Sequence, residues 1–175
     1  MKYKILLFSI IFTILSMTNT YSQDTVDAIR YNINLDLGNK NPNAFSGYTD
    51  IYMRTTKAGM NSFSLDLQVA NVDSVLIDGT QLETFDYNRR YLSLDIPSSI
   101  SIGDTFCVRV YYNGTESAES YGFGGIHFDN HIIYNLGAAI KAVPHNYGRA
   151  WYPCFDNFTD KAAYEFHITV RPGWT

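Results

Sequence analysis

The chain has 175 residues, of which 46% are hydrophobic and 15% aromatic, and its formal net charge is −4. This length is typical of a single domain with a sizeable core. The mildly acidic balance argues against nucleic acid and anionic membrane surfaces as partners, because both attract basic proteins.

The first 22 residues have the pattern of a secretory signal peptide. Lys2 and Lys4 precede an apolar run from Ile5 to Met17, and Ser22 is a small residue of the kind that signal peptidase prefers. The run is shorter than the roughly 20 residues that span a membrane; an uncleaved anchor is the alternative. Cleavage after Ser22 leaves a mature domain of residues 23–175. Its net charge is −6, since the leader holds two lysines and no acid, and its location is periplasmic or extracellular.

Period-two alternation dominates the mature chain. The first run places Ile29, Tyr31, Ile33, Leu35 and Leu37 on one face, and similar runs follow at 45–56, 63–67, 75–77, 91–96 and 106–112. Gly47 marks a bulge or a close backbone approach. The only helical candidate, Leu136 to Val143, is shortened by Gly137 and Pro144. We therefore predict an all-β fold, an antiparallel β-sandwich or a curved multi-strand sheet with little helix.

His127 and His131 have the i, i+4 spacing of two zinc ligands on a helix. The Glu of the H-E-x-x-H protease motif is replaced by Phe128, and the flanking residues indicate strands. Asp129-Asn130 is interpreted as a two-residue hairpin turn between Phe128 and His131. We predict no metal site and no catalytic residue in this chain.

Cys107 and Cys154 are the only cysteines. Export permits a disulfide, but each lies in an apolar setting, where a free thiol behaves as a small hydrophobic group. The sequence leaves the pairing open, and free thiols are the favoured reading.

The most specific stretch runs from Gly148 to Asp156, with the letters G-R-A-W-Y-P-C-F-D, and is followed by K-A-A-Y-E-F-H-I-T-V-R-P from Lys161. It resembles the run that closes the N-terminal domain in the aminopeptidase N family of zinc metallopeptidases, A-R-R-x-F-P-C-F-D-E-P and then K-A-x-F. We interpret Trp151 and Phe155 as buried anchors and expect Asp156 to accept backbone N–H bonds in the turn that follows.

Further matches occur in order along the chain. Y-N-I-N-L-D-L from Tyr31 resembles the family's opening strand, and F-S-G from Phe45 resembles its F-x-G. The resemblance covers about Ile29 to Pro172. The departures are Asn157-Phe158 in place of the family's Glu-Pro and a single Arg149 in place of its paired arginines.

The resemblance implies a saddle-shaped β domain that packs on a separate catalytic domain and walls part of its cavity. The family's zinc ligands, catalytic Glu and G-A-M-E-N loop lie in that later domain, and none of these motifs occurs here, so zinc is expected only in a domain beyond Thr175. In that family a Gln or Glu shortly before the P-C-F-D run holds the free amino end of the substrate. The corresponding position in this chain is nearest Lys141, or Ala142 if the alignment gap is placed differently. A Lys ammonium repels a substrate ammonium, so Lys141 is a substrate-binding candidate by position only.

Two functional hypotheses follow. The first is the N-terminal substrate-cavity and scaffold domain of an exported zinc aminopeptidase, inactive as this chain, with the catalytic domain and peptide substrates as partners. The second is a free-standing secreted β-sandwich that binds a ligand through exposed tyrosines, or a pseudoenzyme remnant.

Overall fold

The structure is a computed structural model that describes residues 25–38, 43–68, 71–119, 123–129, 132–157 and 161–173. The leader lies outside these residues. The described residues form twelve strands and one 3₁₀ turn, Gly148–Ala150. The strands are β1 (Val26–Asp36), β2 (Ala44–Thr55), β3 (Ser62–Asp66), β4 (Asn71–Ile77), β5 (Thr80–Gln81), β6 (Asp86–Tyr87), β7 (Tyr91–Asp95), β8 (Thr105–Thr115), β9 (Ser117–Ala118), β10 (Gly125–Asp129), β11 (Ile132–Asn135) and β12 (Ala163–Thr169).

The strands make one large sheet and two small ones. The central sheet has the order β12-β1-β2-β8-β4-β5, and the small sheets have the orders β3-β7-β6 and β11-β10-β9. The predicted all-β fold with little helix is confirmed. The central sheet is mixed rather than antiparallel, because β12 returns to it after a long excursion through the small sheets and pairs with β1 in parallel.

The core fills the space between the central sheet and the small sheets. Its fully buried residues lie on the inner face of each strand, and they include Tyr31, Ile33, Ile51, Val108, Val110, Tyr112, Leu65, Leu92 and Leu94. The outer face of the central sheet carries the polar residues of the same alternation. This is the arrangement that period two predicts for a sheet buried on one face.

Two details of the paired strands β1 and β2 bear on predictions made from the sequence. A register shift between Ala28 and Arg30 turns Ile29 outward, so Ala28 occupies the core and Ile29 is 36% exposed. The placement of Ile29 on the buried face was therefore wrong. Gly47 on β2 fits the predicted close approach, because a Cβ there would lie 2.0 Å from the Asn34 carbonyl oxygen.

Two local predictions are corrected. The stretch from Leu136 to Val143 is not a helix; it belongs to a loop closed by a bridge between Ala138 and Asn146. The hairpin after β10 exists, but Asp129 pairs with Ile132. The connection is therefore residues 130 and 131, one position later than predicted, and these two lie outside the described residues.

Candidate functional site

The segment from Gly148 to Asp156 closes the open edge of β3. Cys154 forms a bridge with Asp66 through two backbone bonds, Asp66 N–H to the Cys154 oxygen at 2.8 Å and Cys154 N–H to the Asp66 oxygen at 3.0 Å. The Gln68 N–H donates to the Arg149 oxygen at 2.7 Å. Pro153 precedes the bridge, as expected for a residue without an N–H.

A buried ion pair stabilises this corner from within. Arg149 donates to the Asp156 carboxylate, and both side chains are only 5% exposed. The other Asp156 oxygen accepts the Gly148 N–H at 3.1 Å, and the Arg149 guanidinium lies 4.6 Å from the Tyr147 ring centroid. These bonds run back to residues that precede Asp156. Residues 158–160, in the turn that follows, lie outside the described residues, so bonds to that turn stay a prediction.

A second layer of polar groups surrounds the ion pair. Gln68 Oε1 accepts from Arg149 Nε and from Arg90 Nη1, each at 3.2 Å. Arg90 also pairs with Asp66 at 3.4 Å, and Asp66 accepts the Asp156 N–H at 3.2 Å. Burial raises the pKa of the Asp66 carboxyl. Since each of these groups has a partner, we assign the corner, defined by Asp66, Gln68, Arg90, Arg149 and Asp156, a structural role.

The two predicted anchors, Trp151 and Phe155, are half-buried rather than buried. Phe155 contacts Phe63 in the core, with ring centroids 6.5 Å apart. Trp151 instead stacks on Phe166 of β12 at 5.5 Å and an interplanar angle of 14°. Trp151 packs against the core and also contributes to an exposed aromatic surface on β12.

An open apolar cavity, which we call the β12 groove, lies beside that surface. Its volume is about 360 Å³. Leu35, Leu37, Phe166 and Ile168 form the wall on the central sheet, hairpin β10–β11 forms the other wall with Ile126, Ile133, Tyr134 and Asn135, and Trp151 completes the lining. The alternation of β12, with Tyr164, Phe166 and Ile168 opposite Glu165 and His167, is the sequence signal that indicates this surface.

The structure places Lys141 in the loop that follows β11, with an exposed side chain. Glu119 fixes this loop: its carboxylate accepts the N–H groups of Ile140 at 2.6 Å, Lys141 at 3.0 Å and Gly124 at 3.2 Å. These hydrogen bonds lower the pKa of Glu119, and the bond from the Ile140 N–H makes the largest contribution. The alternative position, Ala142, packs near Ala139, Tyr147 and Ala150. A substrate role for Lys141 stays a prediction.

The described histidines lie apart in different environments. His127 is buried and pairs with Tyr134, on whose ring it stacks at 4.8 Å. His145 contacts the Ala139 oxygen through Nδ1 at 3.1 Å, and His167 lies 3.1 Å from Glu165 on the wet face of β12. His131 lies outside the described residues. Within the part of the chain that the structure describes, no three His, Cys, Asp or Glu side chains come together in a way that would hold a metal ion.

Both cysteines are free thiols. Cys154 is buried in the core, and burial raises its pKa. Cys107 is half-buried on the outer face of the central sheet, and burial raises its pKa to about 11. Neither thiol has the lowered pKa of a nucleophile.

No family model matches the sequence, and no curated protein matches it. Solved structures do match the fold. An M1 zinc metallopeptidase of Deinococcus radiodurans, a variant bound to a Tyr-Ser-Ala substrate, superposes with a TM-score of 0.69 and 20% identity, over 83% of this chain and 33% of that chain. Legionella pneumophila aminopeptidase A matches with a TM-score of 0.66 and 14% identity, over 85% of this chain and 16% of that chain.

Yeast LTA4 hydrolase in complex with bestatin gives a TM-score of 0.61 at 16% identity, over 82% of this chain and 23% of that chain. The chain thus spans a third or less of the length of these structures. At such low identities the likeness concerns the fold alone. The all-β architecture described here is one that M1 zinc aminopeptidase structures contain as a minor part of a longer chain.

Proposed function

We propose that this chain is the N-terminal, non-catalytic scaffold domain of an exported zinc aminopeptidase. The observation that carries the proposal is the agreement of two independent likenesses. The fold matches M1 zinc metallopeptidases over 83% of the chain. The motif that resembles the aminopeptidase N family, Gly148 to Asp156, forms the buried corner that closes β3.

In this proposal the chemistry belongs to a separate domain of the longer protein. Zinc bound in that domain would supply the water activation and carbonyl polarisation needed to hydrolyse the peptide bond next to a free N-terminus. The present chain contributes a wall of the substrate cavity and a rigid surface on which the catalytic domain packs. The proposal includes removal of residues 1–22 and export. Among the described residues, no helix has the length and apolarity needed to cross a membrane.

The test is to isolate the native protein with an antibody raised against residues 23–175. We expect its N-terminus to be Gln23, its mass to exceed that of residues 23–175, and its release of N-terminal amino acids from peptides to stop when a zinc chelator is added. A native protein that ends at Thr175 and has no peptidase activity would contradict the proposal.

The second candidate, a free-standing binding module, is favoured by one feature of the outer face. Arg109 binds both carboxylate oxygens of Asp50, at 2.6 and 2.7 Å, and lies 4.3 Å from the Tyr48 ring centroid. Rigid tyrosines held by such contacts are common in recognition surfaces. The test is a titration of residues 23–175 with soluble peptides and oligosaccharides, monitored by tyrosine fluorescence. Saturable binding that Tyr48→Ala abolishes would support this candidate. An unchanged fluorescence with every peptide and oligosaccharide would count against it.

A further inference from the structure

β12 is the outermost strand of the central sheet and is exposed on both faces. Its only strand neighbour among the described residues is β1, and all seven of its residues are exposed. The inward side chains Tyr164, Phe166 and Ile168 retain 50%, 46% and 43% of their accessible surface. Proteins usually protect an edge strand with charges, proline or a covering element. The exposed apolar face that Tyr164, Phe166 and Ile168 form on this edge strand is a surface that another segment is expected to cover.

Two hydrogen-bond donors in residues that line the β12 groove are unpaired within the described part of the chain. Trp151 Nε1 and Asn135 Nδ2 are buried and have no hydrogen-bond partner there. The Gly137 N–H donates to Asn135 Oδ1 at 2.5 Å, which fixes the orientation of that amide. A buried polar group without a partner is costly and uncommon. Since both groups are donors, the missing partner supplies acceptor oxygens.

A β-strand meets these requirements better than a helix does. The carbonyl oxygens of a helix bond within the helix except in its last turn, so a helix supplies few acceptors and cannot pair with a strand edge. An extended segment has free carbonyl and N–H groups along its length, and its alternate side chains point to one side. It is therefore able to pair with β12 and place apolar side chains in the groove.

We propose that the β12 groove binds an extended polypeptide strand that pairs with the outer edge of β12. Apolar side chains of this strand fill the space between Phe166, Ile168 and Ile133, and its carbonyl oxygens accept from Trp151 Nε1 and Asn135 Nδ2. The strand belongs to the part of the peptidase that lies outside the described residues. The origin of the strand therefore rests on the proposed function. It agrees with the length of the M1 metallopeptidase structure, which is about three times that of the region it shares with this chain.

The experiment compares ¹⁵N-labelled residues 23–175 with the product of the complete natural gene, by NMR and hydrogen exchange. Trp151→Phe removes the indole donor, retains an aromatic ring and assigns the indole signal. In the complete product we expect the Trp151 indole proton to move downfield and the β12 amides to exchange at least tenfold more slowly. Trp151→Phe should reduce that protection. The control Tyr91→Phe should not, because Tyr91 is an exposed residue on β7 and is distant in sequence from the groove residues.

Equal indole shifts and equal β12 exchange in the two proteins would overturn the inference. So would self-association of residues 23–175 with slow β12 exchange, since a second copy would then occupy the groove. A chelator-sensitive aminopeptidase assay on the same sample separates the two proposals. Activity with an unprotected β12 refutes only the groove inference, and a protected β12 without activity refutes only the proposed function.

Discussion

The buried corner and the β12 groove are joined by one short segment, yet they differ in how their polar groups are paired. In the corner, Arg149 and Asp156 are almost fully buried and are bonded to each other and to their surroundings. In the groove, Trp151 from the same segment has a buried donor with no partner among the described residues, and its ring stacks on a half-exposed Phe166. The difference shows that one segment of nine residues can have two roles. Its charged residues stabilise the domain, and its tryptophan lines an exposed surface.

The largest effect should come from removing one partner of the buried ion pair. Asp156→Ala leaves the Arg149 charge buried without compensation, so we expect a loss of about 3–5 kcal/mol in the free energy of unfolding. Urea denaturation of residues 23–175 measures this. The control is Asp27→Ala, because the Arg54–Asp27 pair is 3.8 Å long and about half exposed and should contribute no more than about 1 kcal/mol. Equal losses in the two variants would show that the corner is not a structural centre.

A smaller effect should follow from removing the acceptor that joins the two arginines. Gln68→Ala deprives Arg149 Nε and Arg90 Nη1 of a shared partner. Hydrogen bonds to charged groups contribute about 1.5–3 kcal/mol, and Arg90 is partly solvated, so we expect the lower end of that range. Thermal unfolding gives the result, with Gln81→Ala on β5 as a comparison, because it removes the same type of side chain from an exposed position. An unchanged transition temperature in Gln68→Ala would mean that the second layer adds nothing.

A change in the groove should alter stability least. Phe166→Ser removes a ring that is already 46% exposed. Complete burial of such a side chain contributes about 1.5–3 kcal/mol, so we expect a loss of about 1 kcal/mol in residues 23–175. His167→Ser, on the opposite face of β12, is the matched control and should be near neutral. A loss as large as that of Asp156→Ala would place Phe166 in the core and end the contrast between the two regions.

The most local effect concerns pH and the loop that carries Lys141. The pKa of Glu119 is lowered from its ordinary value of 4.5 in the folded state. Its stabilising contribution is therefore fully present above that value and is lost as the pH falls through the folded pKa. We expect the Ile140 and Lys141 amides, in hydrogen exchange corrected for the intrinsic rate, to lose protection below about pH 4.5, and Glu119→Gln to remove this dependence. Protection that rises on acidification would contradict the assignment.

The strands were predictable because alternation is a local property of the sequence. Tyr31, Ile33 and Leu35 reach the core as expected, whereas Ile29 does not, because a bulge shifts the register by one residue. The parallel pairing of β12 depends on where the chain returns after more than a hundred residues, and no local pattern encodes that.

The closing motif was located from the sequence, but its contacts were not. The Arg149 partner Gln68 lies 81 residues away in the chain, and the link between Asp66 and Asp156 spans 90. Only the fold brings such residues together. A large aromatic residue such as Trp151 is expected to be buried. Its half-exposed neighbour Phe166 lies on the edge strand β12, and the sequence does not show which strand is at the edge.

The most direct test of the central claim uses residues 23–175 by themselves. They are supplied with zinc and an aminoacyl reporter substrate, while zinc binding is followed by calorimetry. We predict neither tight zinc binding nor hydrolysis above that of the buffer, because in the proposed function the catalytic groups belong to a separate domain. Zinc-dependent turnover by this chain, abolished by a chelator and restored by added zinc, would contradict it.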